Sequence, residues 1–174
     1  MTKVLLISEN YLRSAFMISD NVQTKFILPA IQNAQEMEFQ TVVGNCLYKR
    51  LLEGVAENNL NDNEKELLNI AKRYIGYVAI SELITISTFK INNIGLNKTK
   101  DENVETLPTS DVMLVKKQYI NKADFYKKRL QEYLLRNQGE FPELSCCDCH
   151  NIKKNLYSSA SCNLWLGGPR GKWN

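Results

Sequence analysis

Residues 61–84 read NDNEKELLNIAKRYIGYVAISELI, and this stretch decides the fold class. Asn61, Asp62 and Asn63 offer side-chain acceptors to the unpaired N–H groups of a helix start. Glu64 and Glu66 follow in the first turn, where negative charge suits the helix dipole. Behind them Leu67, Ile70, Ala71, Tyr74, Tyr77, Val78, Ser81 and Ile84 recur at steps of one or three residues, which places them along one side of an α-helix. A helix with one broad apolar side needs another element to cover it.

A second helix of the same kind lies further along. Ser110 and Asp111 precede Val112, Val115, Tyr119, Ala123, Tyr126, Leu130 and Tyr133, a stripe that predicts a helix ending near Arg136. Lys117, Lys128 and other charges occupy its opposite face. Two such helices argue for a mainly α fold, a small helical bundle.

Shorter elements precede them. Lys3–Ile7 reads as extended, and Ser8 offers an N-cap to a helix over Glu9–Phe16. After the capping residues Ser19, Asp20 and Asn21, apolar residues from Val22 to Val42 recur at helical spacing. Pro29 interrupts them, which predicts a kink, or a turn that stops near Ile27 with a long helix starting at Leu28. Gly44 and Asn45 break the pattern, and a short helix runs from Cys46 to near Gly54 or Asn58. From Thr85 the composition turns β-branched, and Asn92, Asn93 and Gly95 supply a turn, so a short β-hairpin is expected over 88–99. Lys100–Ser110 reads as an exposed loop.

Charge and cysteine divide the chain at the end of the last helix. Residues 1–143 carry 18 Lys+Arg against 18 Asp+Glu, whereas residues 144–174 carry Lys153, Lys154, Arg170 and Lys172 against Asp148 alone. Four of the five cysteines lie in that last stretch. The expected organisation is a helical body over 1–143 and an extended tail over 144–174, rich in Cys, Gly and Ser. No apolar run approaches the ~20 residues of a membrane span, and the opening residues are too short for a signal peptide. A net charge of +3 is small for duplex binding, where several phosphates must be neutralised.

The motifs that could carry chemistry are few. Cys146-Cys147-Asp148-Cys149-His150 contains the C-x-x-C-H spacing of covalent haem attachment, but no distal ligand accompanies it. Cys146, Cys149, His150 and Cys162 could instead hold zinc, although a second paired half-site is missing; reduced, unmetallated thiols are the plainer reading. Gly167–Lys172 lacks the first glycine and the final Ser or Thr of a phosphate loop. His150 is the single histidine, so no histidine-based triad can form in the body. The pairs Glu36/Glu38 and Glu64/Glu66 read as solvated helix surface, and Lys116, Lys117, Lys122, Lys127, Lys128 and Arg129 as a solvated or interfacial face. A structural role is expected, not an enzyme. In the tail, Leu164, Trp165, Leu166, Arg170, Lys172 and Trp173 are the expected partner-binding residues, with the aromatics as anchors.

The order of several short stretches resembles a known family. Ile18–Val22, Phe26–Gln35, Val43–Tyr48, Ala79–Leu83, Lys90–Gly95, Asp101–Val104, Phe125–Leu130 and Phe141–Leu144 together resemble phage head–tail connector proteins. These are the adaptor or head-completion subunits, and the likeness is greatest to ring proteins of crAss-like phages. It covers residues 4–144 and rests on capping and packing residues. It implies a virion structural protein, assembled in the host cytoplasm as a homo-oligomeric ring of about twelve copies. Such a ring would join the portal protein to adjoining tail or ring proteins and extend the channel through which DNA passes without sequence-specific binding. No membrane and no cofactor are expected, with zinc in the tail as the alternative. The alternative function is a cytoplasmic protein-binding adaptor whose tail folds on zinc or on a partner.

Overall fold

The computed structural model describes residues 4–92, 95–98 and 108–145. The chain is mainly helical. Helix α1 spans Glu9–Phe16, α2 Thr24–Asn33, a π-helix Ala34–Phe39, α3 Gln40–Val43, α4 Asn45–Glu57, α5 Asp62–Thr88 and α6 Thr109–Arg136. Between α5 and α6, Phe89–Asn92 (β1) and Gly95–Lys98 (β2) pair antiparallel with Phe89 opposite Lys98. Two 3₁₀ turns, Gln138–Glu140 and Pro142–Ser145, follow α6.

Helix α5 is the spine of the fold. Asn61 accepts from the Glu64 N–H at 2.7 Å while the Glu64 carboxylate accepts from the Asn61 N–H at 2.8 Å, a reciprocal capping box. Glu64 is buried and also receives Arg50 from α4, with Nε at 2.8 Å from Oε1. The expectation of a solvated surface fails for Glu64, because α4 folds over it and supplies the compensating cation. Along the helix Leu68, Ile75, Ala79, Ile80 and Leu83 are buried in addition to Leu67, Ala71, Tyr74 and Ser81. The buried surface is thus wider than the sequence stripe, since α1, α2, the π-helix and α6 all pack on this one helix.

The helix also runs past its expected end. Thr85, Ile86 and Thr88 remain helical, and the Thr85 and Thr88 hydroxyls donate to the carbonyls of Ser81 at 3.2 Å and Ile84 at 2.6 Å. These hydroxyls find partners inside the helix, so β-branching alone does not end it.

Pro29 lies inside α2, and the helix neither stops at Ile27 nor restarts at Leu28. Only the Lys25 carbonyl loses a partner to the missing N–H, and Lys25 is exposed, so water can serve it. The irregularity comes later, as the π-helix. There Gln35, 2% exposed, donates through Nε2 to the Val4 carbonyl at 3.0 Å and accepts from the Leu6 N–H at 3.0 Å. A buried carboxamide thereby stands in for a neighbouring strand and holds residues 4–6 in place, so that Leu6 and Ile7 enter the core.

Helix α6 runs antiparallel to α5: Lys116 Nζ meets Thr85 Oγ1 at 2.8 Å, and the Tyr133 hydroxyl donates to the Asn63 carbonyl at 3.3 Å. The helix starts at Thr109 with Pro108 as its cap residue, so Ser110 and Asp111, the expected caps, lie inside its first turn. Ala123, Leu130 and Leu134 are buried, Tyr119, Tyr126 and Tyr133 are half-buried, and Val115 is exposed. Val115 therefore leaves the expected stripe. Phe141 and Leu144 extend the core beyond α6.

Helix α1 is held by two devices. The Glu9 carboxylate takes the Arg13 guanidinium at 2.7 Å and the Thr24 hydroxyl at 2.9 Å, while Arg13 also donates to the Ser19 and Val22 carbonyls. Across from α1, a Cβ on Gly76 would meet the Phe16 ring at 2.5 Å, so only glycine permits this approach. Two outcomes follow. Gly76→Ala displaces Phe16 from its edge contact with Tyr77 (centroids 4.9 Å) and lowers unfolding free energy by about 1–3 kcal/mol in urea melts. The Arg13 hydrogen bond, the largest influence, holds the Glu9 carboxyl below its usual range, against a smaller opposing effect of burial. Its stabilisation is therefore present above the ordinary carboxylate pKa and fades as pH falls through the lowered folded value. The deficit of Glu9→Gln relative to the native chain should shrink over that acidic interval and stay constant above it.

Candidate functional site

The π-helix, α5 and α6 enclose a cleft of about 410 Å³. A π-turn carries one residue more than an α-turn, which shifts the side chains that follow it around the helix axis. Here it places Met37 and Glu38 on the cleft wall beside Tyr74 of α5. The buried Tyr74 hydroxyl donates to Glu38 Oε2 at 3.2 Å. Burial, reinforced by the Glu38 charge, pushes the Tyr74 phenol far above its usual pKa, so it remains a donor throughout the working pH range.

The remaining polar groups of the cleft engage one another. Lys127 Nζ lies 3.9 Å from Glu38 Oε2, and Lys116 Nζ lies 4.0 Å from Glu82 Oε1. The Ser81 hydroxyl donates to its own helix at the Val78 carbonyl, 2.8 Å away. Val78, Ile120 and Ala123 supply apolar surface, and Asp124 adds a third carboxylate. An apolar patch ringed by paired charges can hold an inserted side chain and orient its polar end.

The other side of α6 is aromatic and basic. The Tyr77 ring contacts Phe16 edge-on, stacks on Tyr126 at 5.4 Å with 16° between the planes, and lies 6.2 Å from Tyr119. Lys122 Nζ sits 5.4 Å from the Tyr119 ring centre and 5.9 Å from that of Tyr77. These rings pack on one another as the wall between α5 and α6. Beside them a groove of about 290 Å³ is lined by Asn69, Ile70, Arg73, Tyr126 and Arg129. Burial raises the pKa of the neighbouring Tyr11 phenol, with the Arg73 charge acting against it.

The basic residues of α6 thus serve separate surroundings. Lys116 and Lys127 belong to the cleft, Lys122 to the aromatic wall and Arg129 to the groove, while Lys117 and Lys128 are exposed. Glu38, read from sequence as plain surface, is exposed but holds the Tyr74 hydroxyl. No sequence signal marked this pairing, because it depends on the π-turn. The expected tail contacts Leu164, Trp165, Leu166, Arg170, Lys172 and Trp173 lie outside the described residues, as do the alternative zinc ligands Cys146, Cys149, His150 and Cys162. Among the described residues no group of three or more His, Cys, Asp or Glu is placed to hold a metal ion. Cys46 on α4 is disulfide-bonded. No helix among the described residues is long and apolar enough to cross a membrane.

The Tyr74–Glu38 contact predicts an asymmetry between its two partners. Glu38→Ala leaves a buried phenol without an acceptor and should cost about 1–3 kcal/mol in urea denaturation. Tyr74→Phe frees a carboxylate that solvent already reaches and should cost about 0.5–1.5 kcal/mol. Equal losses would mean that the hydroxyl is not sealed in the cleft.

Neither the curated proteins nor the solved structures contain a match to this chain. A family model does match, over residues 39–154, which takes in the last residue of the π-helix, both long helices and every residue that lines the Arg73–Arg129 groove. With more than half of its length covered, the chain belongs to the family of unknown function DUF6712.

Proposed function

We infer that this protein is a virion structural subunit that assembles as a homo-oligomeric ring at the head–tail connector. The ring joins portal to tail and extends the DNA channel. The ordered resemblance over residues 4–144 supports this reading, and one structural observation carries it. Large exposed apolar side chains concentrate on a single helix: Met113, Leu114, Val115, Ile120 and Phe125 all belong to α6. Met113, Leu114 and Phe125 are 57–62% exposed. A helix that turns so much apolar surface outward fits a contact with a second copy of the chain. In a head-to-tail ring this helix meets a different surface of the neighbour.

The tail, with Leu164, Trp165, Leu166 and Trp173 as anchors and Arg170 and Lys172 as its charges, extends to a neighbouring subunit or an adjoining ring. The reading makes two demands on experiment. The full-length chain should sediment as a large closed oligomer, and Met113→Glu combined with Leu114→Glu should shift it toward monomer by more than tenfold in apparent dissociation constant, with an unchanged helical circular dichroism spectrum. Purified particles should contain the protein in a fixed ratio to portal. A chain that stays monomeric at tens of micromolar and is absent from particles overturns the reading.

A further inference from the structure

The groove beside the aromatic wall carries cations with no carboxylate in its lining. Arg73 of α5 and Arg129 of α6 both line it, with the Asn69 carboxamide between turns and Ile70 and Tyr126 as its apolar surface. No carboxylate lines it, and neither guanidinium makes an ion pair among the described residues. The cleft on the other side of α6 differs in this respect, since its two lysines face Glu38, Glu82 and Asp124. Two guanidiniums and an amide facing an open groove form a set of donors with fork geometry, suited to carboxylates.

The chain itself contains a matching ligand. Residues 101–105, Asp-Glu-Asn-Val-Glu, place three carboxylates within five residues with no cation between them, and no other stretch of the sequence does so. These residues lie outside the described ones, but the chain lengths around them decide which copy they can reach. Residues 99–107 connect Lys98, paired opposite Phe89 at the end of α5, to Pro108 at the start of α6. Nine residues running out and back reach at most about 17 Å. The helical rise puts Arg73 about 22 Å from the end of α5, and Arg129 about 30 Å from the start of α6. The loop therefore falls short of the groove of its own chain.

We propose that the Arg73–Arg129 groove is the receptor for the acidic segment Asp101–Glu105 of a second copy. The contact is heterologous, since the loop end of one subunit enters the flank of the next, and repetition closes a ring if the rotation permits. The proposal rests on the ring reading and names the contact that sets its polarity. Met113 and Leu114 are exposed in the first turns of α6, a few residues after the acidic segment in sequence, and Phe125 stands beside the acceptor groove through its edge contact with Tyr126, so apolar residues accompany the charges on both partners. Flanking apolar contacts exclude water and strengthen the ion pairs they surround.

Two measurements on the full-length protein test this. The first titrates a fluorescent peptide of residues 99–107 into the native chain, into R73E/R129E, and into a monomer-forming α6 variant (M113E/L114E) in case the native ring occupies its own grooves. The peptide should bind the native chain or the α6 variant, and R73E/R129E should weaken it at least about tenfold. A peptide with Gln at 101, 102 and 105 should not bind. The second follows assembly by sedimentation: R73E/R129E and D101K/E102K/E105K should each fail to form the native oligomer, and mixing the two should restore association. A native chain that never oligomerises but binds the peptide through Arg73 and Arg129 refutes the ring while retaining the groove's ligand. The proposal is overturned if the peptide binds no variant, if it binds R73E/R129E as well as the native chain, or if both reversed chains assemble normally. It is equally overturned if inorganic phosphate or a single-stranded oligonucleotide fills the groove in an Arg73- and Arg129-dependent way and the peptide does not.

Discussion

The fold depends on the burial of α5 on several sides at once. A helix with one apolar stripe can be satisfied by a single partner, but α5 buries residues as far apart around its axis as Leu68, Tyr74, Ile75 and Ala79. It can do so only if α1, α2, the π-helix and α6 all close on it. That demand fixes the small residues along it: Gly76 yields to Phe16, and Ala71 and Ala79 are completely buried. The same demand explains why Glu64 is inside the protein. Its carboxylate ends the helix backbone and binds Arg50, so the helix start is tied to α4 by a charge that has left water but kept its partners.

The π-helix is the second constraint, and it acts on both ends of the described body. On its inner side Gln35 bonds the backbone of Val4 and Leu6 and draws the N-terminal segment over the core. On its outer side the same six residues turn Met37 and Glu38 toward α6. One extra residue in a turn thus links the packing of the chain start to the shape of the cleft. A regular α-helix through 34–39 would rotate one of these sets away from its partner.

Helix α6 divides two chemistries. One flank faces the cleft, where both lysines are paired with carboxylates, and the other faces the groove, where Arg73 and Arg129 stand without an opposite charge among the described residues. On the side opposite the buried Ala123 and Leu130 it exposes Leu114 and Phe125. A cleft of paired charges, a groove lined by cations and exposed apolar residues on the helix between them suit a subunit that meets different neighbours on different sides. Membership in DUF6712 leaves that role open, and the reading as a connector ring is built on these surfaces together with the resemblance of the sequence.

Periodicity and capping made much of the fold legible in the sequence. Ser8 and Asn61 cap the helices they were expected to cap, and the helical stripes on α5 and α6 mark the two longest elements. These features are local: a cap needs its own next turn, and a stripe needs only a spacing of three or four residues. The tertiary structure decided what depends on distant partners. Glu64 and Glu66 look alike in sequence, yet only Glu64 is enclosed, because α4 supplies Arg50. Thr85–Thr88 has strand composition, yet it stays helical within the pairing of α5 with α6. Pro29 does not divide α2, and the π-turn comes where no proline or glycine announces it. The groove is the clearest case, since Arg73 and Arg129 lie on separate helices and meet only when α5 and α6 run antiparallel. Local backbone preference is written residue by residue, whereas charge pairing and groove shape arise between segments that only the folded chain brings together.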